Sequence, residues 1–131
     1  MKILVTGGLG TIGSFLIPEL RKRGNEVISC DLAHQPDEMG FSVKSDLHKP
    51  TYARCDIREY RQIERLFQTF GQFDYVYNCA AEFGRWNGED FYENLWHSNV
   101  IGLKNFIRLQ EKLHFRLIHF SYLKFTVTGQ I

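Results

Sequence analysis

"VTGGLGTIGSFL", residues 5–16, sets four glycines within seven residues between an apolar run and a segment of helical period. Gly7, Gly10 and Gly13 lie three apart, directly after a first strand and at the mouth of a first helix. In that setting the glycines serve a tight turn, close backbone approach to a pyrophosphate and close helix packing, and the helix N-terminus offers free N–H groups to an anion. Glycines also serve ordinary turns, so the context decides. No G-K-[ST] follows, which argues against a nucleoside triphosphate loop. Asp31 stands 24 residues after Gly7, at the end of the second strand, where an acid accepts hydrogen bonds from the adenosine ribose. Its carboxylate would repel a 2′-phosphate, and no Arg or Lys occurs between Asp31 and Lys44, so NAD is favoured over NADP.

Outward from this loop, β-branched runs alternate with helical segments, the mark of a parallel sheet flanked by helices. Strands are expected at 2–6, 26–31, 52–55, 74–79 and 116–121. Helices are expected at 11–23, closed by Gly24-Asn25, at 58–70 with a one-sided stripe of Ile63, Leu66, Phe67 and Phe70, and at 90–112. Pro18 inside the first helix calls for a bend or an exposed face. The third helix spreads Phe91, Leu95, Trp96, Val100, Leu103, Phe106 and Ile107 over more than one face and wants cover on two sides: the sheet, and a partner subunit or another element. Residues 32–50 read as a long connection.

The chain has 131 residues, one domain's worth, and 16 Lys plus Arg against 15 Asp plus Glu leave a net charge of +1. The charges are scattered, which disfavours nucleic acid and anionic membranes as partners. Cys30, Cys55 and Cys79 have spacings that match neither a disulfide framework nor a zinc site, and the five histidines belong to no motif, so no metal is expected. No apolar leader or membrane span is visible, and the expectation is a soluble, cytoplasmic protein.

With these motifs the chain resembles the extended short-chain dehydrogenase/reductase family, the NAD-dependent sugar-nucleotide epimerases and dehydratases. Its loop T-G-x-x-G-x-x-G is matched in full by Thr6-Gly7-Gly8-Leu9-Gly10-Thr11-Ile12-Gly13. The run "CDIRE" resembles the family's D-[IVL]-[RT], which implies that Asp56 meets the adenine amino group and Ile57 flanks the ring. "NCAAEF" resembles N-x-A-A, which implies that Asn78, Ala80 and Ala81 line the cofactor channel. Residues 99–105 resemble N-x-x-G-[ST]-x-N, with Leu103 in place of the hydroxyl residue; these asparagines are chiefly structural, and Asn99 is counted with the cofactor site. Ser121 matches the first Ser of the family's S-S-[SA] and completes that set.

The implied fold is α/β, a Rossmann-type doubly wound parallel sheet, truncated after the fifth strand. Residues 1–121 form the NAD-binding domain and 122–131 a tail unlike the family. The resemblance implies catalysis by a Tyr activated by a Lys four residues on, helped by a Ser or Thr. None of the six tyrosines has Lys at that spacing, and Leu123 stands where the catalytic hydroxyl belongs, so no catalytic residue is assigned. Tyr122 and Lys124 fit surface or packing roles better than a displaced acid/base.

The expected function is therefore an NAD-binding domain of an epimerase/dehydratase-like protein, unable to catalyse alone, with a nucleotide sugar as partner only if a C-terminal part is supplied. The alternative is a non-catalytic NAD-responsive or assembly module, pairing as a homo-dimer through the helix at 90–112.

Overall fold

The computed structural model describes residues 1–33, 51–82 and 92–121. Five strands, β1 (Lys2–Thr6), β2 (Glu26–Asp31), β3 (Tyr52–Arg54), β4 (Tyr75–Asn78) and β5 (Arg116–His119), form one sheet in the order β3-β2-β1-β4-β5. Every pairing is parallel. Helices α1 (Thr11–Lys22), α2 (Tyr60–Phe70), α3 (Tyr92–Trp96) and α4 (Gly102–Leu113) connect them, with a π-helical turn at His97–Ile101 joining the last two. This is the expected doubly wound Rossmann arrangement. The order reverses between β1 and β4, which opens a crevice at the carboxyl ends of those strands.

Alternation along β1 builds a core on each face. Ile3 and Val5 pack with Val27 of β2 and with Ile17 and Leu20 of α1. Leu4 points to the other side, where Ile28 and Val76 meet Ile63, Leu66 and Phe67 of α2 and Phe106 and Leu109 of α4. Phe67 stands edge-on to Phe73 with ring centroids 4.9 Å apart. Each such buried side chain contributes about 1.5–3 kcal/mol. Burial on both faces explains why the strands read as near-continuous apolar runs.

Several elements are shorter than the sequence suggests, for local reasons. The Cys79 N–H turns back to Tyr77 O at 3.2 Å, which ends β4 at Asn78. Asn78 is thus the last partner for β5, so that strand stops at His119 rather than Ser121. The Arg58 N–H bonds Asp56 Oδ1 at 2.9 Å, a turn that delays α2 to Tyr60. Helix α1 continues through Pro18, which lies on its exposed side, and the Gly24 N–H closes it on Arg21 O at 2.9 Å.

The long helix is divided by the π turn, which the apolar pattern does not reveal. Its inner side buries Gly102, Asn105, Phe106 and Leu109. Tyr92, Trp96, Val100 and Ile107 remain 41–62 % exposed. The connection beyond Ala33, Phe91, Leu123 and the tail with Tyr122 and Lys124 lie outside the described residues. No helix among the described residues is long and apolar enough to cross a membrane.

Candidate functional site

At the carboxyl ends of the strands, Gly7, Gly10, Asp31, Asp56, Ile57, Ala80 and Ala81 line one cleft of about 210 Å³. Gly7 turns the chain out of β1 with φ +63°, a conformation that favours glycine. A Cβ there would lie 2.8 Å from the backbone of Ala80, so the loop presses on the exit of β4. Gly13 is buried behind it: a Cβ would fall 2.2 Å from Gly7 O and 2.8 Å from Gly8 Cα. Gly10 precedes α1 and provides no side-chain cap. The first N–H groups of that helix therefore face outward without a capping side chain. Thr11 and Ile12 lie in this first turn, exposed, beside the cleft rather than in its wall.

Asp31 does two jobs. Its Oδ2 accepts the Leu9 N–H of the glycine loop at 3.0 Å, and its Oδ1 accepts the Leu32 N–H at 2.7 Å. Asp56 is gripped by Arg58, with Nε 2.9 and 3.0 Å from the two carboxylate oxygens and Nη2 2.7 Å from Oδ2. These bonds hold the Asp56 carboxyl below the usual carboxylate range.

Asn78 and Asn99 do not line the cleft but brace it. Asn78 is 2 % exposed; its Oδ1 accepts from Thr6 Oγ1 at 2.7 Å and its Nδ2 donates to His119 Nδ1 at 3.2 Å. Thr6 Oγ1 in turn accepts the Ala80 N–H at 3.1 Å. The side chain of Asn99 bonds both the N–H and the C=O of Glu82, at 2.8 and 3.1 Å. Asn105 completes the helix motif by donating to Ile57 O and Arg58 O at 2.9 and 3.0 Å, while Gly102 admits Ile57. Asn99 and Asn105 of the helix motif thus make structural contacts, whereas Asn78, expected in the channel lining, braces the cleft from outside its wall. Ser121 is exposed at the end of the described residues and forms no part of the cleft wall.

Five wall residues escape the sequence reading, Cys30, Leu32, Cys55, Glu82 and Ser98, while Cys79 is legible as the end of a central strand beside the cofactor. All of these are chain neighbours of residues singled out, Ser98 beside Asn99 included, and that adjacency is the one signal that could have found them. Ser98 comes from the π turn, an irregularity common at functional sites. Burial pushes the Cys79 thiol up to about 11, which keeps it protonated and inert. Among the described residues, no cluster of three or more His, Cys, Asp or Glu could hold a metal.

The family model described as "NAD dependent epimerase/dehydratase family" matches residues 3–122. The chain belongs to the NAD-dependent epimerase/dehydratase family. Among curated proteins, 2-alkyl-3-oxoalkanoate reductase of Stenotrophomonas maltophilia is 32% identical over 82% of the chain and 28% of its own length. A probable dTDP-glucose 4,6-dehydratase of Sinorhizobium fredii is 39% identical over 63% of the chain and 23% of its own length. Among solved structures, Thermus thermophilus UDP-glucose 4-epimerase in complex with NAD superposes with a TM-score of 0.69 at 26% identity, over 87% of this chain and 35% of that one. The chain therefore spans about a quarter to a third of the length of these relatives.

Proposed function

We propose that this chain is the NAD-binding part of a sugar-nucleotide epimerase/dehydratase-like protein of the cytoplasm. The observation that carries the reading is the convergence of the glycine loop with Asp31 and Asp56 on one cleft at the switch point of the sheet. The uncapped start of α1 suits the pyrophosphate, with Gly7 and Gly10 leaving room for it. Asp31 would accept the adenosine ribose hydroxyls and Asp56 the adenine amino group, with Ile57 against the ring. Ala80 and Ala81, being small, would leave space for the nicotinamide half.

When bound, the cofactor would supply a hydride acceptor; this chain's part is to bind and orient it. No tyrosine here has lysine four residues on, so proton transfer and the grip on a nucleotide sugar fall to residues outside this chain. The bound ligand should raise the thermal midpoint, because binding to the folded state alone stabilises it by about 2.7 kcal/mol at a hundredfold excess over Kd. A melt unchanged by millimolar NAD would refute the reading.

A second reading, an assembly module, is favoured by the exposed stripe of Tyr92, Trp96, Val100 and Ile107 on α3, the π turn and α4. It has a second copy of this helix pair packing there. Sedimentation that gives a monomer at all concentrations, with or without NAD, would remove it.

A further inference from the structure

Along the chain no Arg or Lys follows Asp31 before Lys44, yet the sheet brings a cation beside it from β3. Strands β2 and β3 pair in parallel with Asp31 opposite Arg54, the last residue of each strand. Neighbouring strands lie about 4.8 Å apart, and residues in register send their side chains to the same face. Arg54 therefore shares a face of the sheet with Asp31, at the strand ends where the cleft opens.

The chain leaving β2 is tied down by these strand ends. Asp31 Oδ1 accepts the Leu32 N–H at 2.7 Å, and Arg54 Nε donates to Leu32 O at 2.8 Å. The Tyr52 hydroxyl, two residues before Arg54 and so on the same face of β3, donates to Ala33 O. Leu32, a wall residue of the cleft, is thus held at its N–H by the carboxylate and at its C=O by the guanidinium. A bond to the carbonyl one residue past Asp31 keeps the Arg54 head group at the carboxyl end of β2 rather than out along the edge of the sheet. Arg54 is exposed there, so a ligand group arriving from solvent meets it.

We infer that Arg54 is a second determinant of cofactor choice: it is the cation that meets a phosphate on the adenosine 2′ position, and so it limits how strongly Asp31 rejects NADP. This rests on the proposed seating of the adenosine ribose at Asp31. A guanidinium keeps its charge at any working pH and offers a planar fork of N–H donors that fits phosphate oxygens. With both side chains present, the attraction of Arg54 offsets part of the repulsion from Asp31. NAD keeps its advantage, because the 2′-phosphate also removes a hydroxyl that Asp31 would accept. Without the carboxylate the guanidinium acts alone, and the balance moves toward NADP.

The test is calorimetric titration with NAD and with NADP of the parent chain, Arg54→Gln, Asp31→Ala and the double variant. The readout is the ratio of the two dissociation constants, Kd for NADP over Kd for NAD. Loss of the Leu32 contact alone would loosen the cleft wall and weaken both nucleotides alike, which leaves that ratio where it was. The expected result is a ratio raised by about tenfold or more in Arg54→Gln, the amount a charge-assisted bond carries. Asp31→Ala should lower the ratio, and adding Arg54→Gln to it should raise the ratio again by a similar factor. Either background gives the answer, so the test stands if Asp31→Ala fails to fold. A ratio that Arg54→Gln does not move, in a chain that binds NAD, overturns the role of Arg54 and leaves the cofactor reading standing. A folded parent that takes up no NAD overturns the cofactor reading, and the role of Arg54 falls with it.

Discussion

Asp31 Oδ2 accepts the Leu9 N–H at 3.0 Å, so the carboxylate at the end of β2 already holds the glycine loop in place. If the same side chain also accepts the ribose hydroxyls, Asp31→Ala removes charge-assisted bonds worth about 1.5–3 kcal/mol. The expected outcome is a loss of roughly 10–100-fold in NAD affinity, with a smaller loss for NADP, whose 2′-phosphate no longer meets a negative charge. Competition binding with the two nucleotides checks this; an unchanged ratio would place the ribose elsewhere.

Two glycine substitutions should differ in severity because of what each new methyl meets. Gly13→Ala drives a Cβ into the backbone of Gly7 and Gly8, which cannot yield without opening the loop. Gly102→Ala meets the Cδ1 and Cγ1 atoms of Ile57 at 2.6 and 2.9 Å, atoms of a side chain that can rotate. Urea denaturation should show Gly13→Ala costing about 1–3 kcal/mol or more and Gly102→Ala less. The reverse order would mean that the loop, not the helix contact, is the softer of the two.

Thr6→Val keeps shape but removes the hydroxyl shared by Asn78 Oδ1 and the Ala80 N–H. Leaving buried polar groups unpaired costs about 1–3 kcal/mol. The measurement is again equilibrium unfolding, and a neutral result would show that water or a shifted Asn78 replaces the hydroxyl.

Particular residues show where the sequence was legible. The glycine loop, Asp31 and the alternation of β-branched runs with helical segments are local patterns with local causes, and the parallel sheet and part of the cleft wall followed from them, while Asp56, Ile57, Ala80 and Ala81 came from the family resemblance. The π turn at His97–Ile101 was hidden because tertiary contacts impose it: Gly102 must meet Ile57 and Asn105 must reach the carbonyls of Ile57 and Arg58. Asn78 was placed near the right strand end, yet its side chain turns into the sheet, a direction that depends on Thr6, 72 residues away.

Arg58→Gln should weaken the chain near neutral pH but not in acid. The Arg58 bonds hold the folded Asp56 pKa below its unfolded value, so their contribution is present above about pH 3.9 and is lost as the pH falls through the lower folded value. With the two side chains 33% and 18% exposed, the difference between variant and parent should be about 1 kcal/mol at pH 7. It should shrink below pH ~4. Denaturation midpoints across pH 2–7 measure it, and a difference constant with pH would assign the effect to packing instead.

The most direct test of the central claim is calorimetric titration of the reduced chain with NAD and, separately, NADP. The account predicts saturable binding of one NAD per chain, with NADP weaker by about tenfold or more because Asp31 repels its 2′-phosphate. A folded chain that takes up no NAD, or that binds NADP as well as NAD, would contradict it.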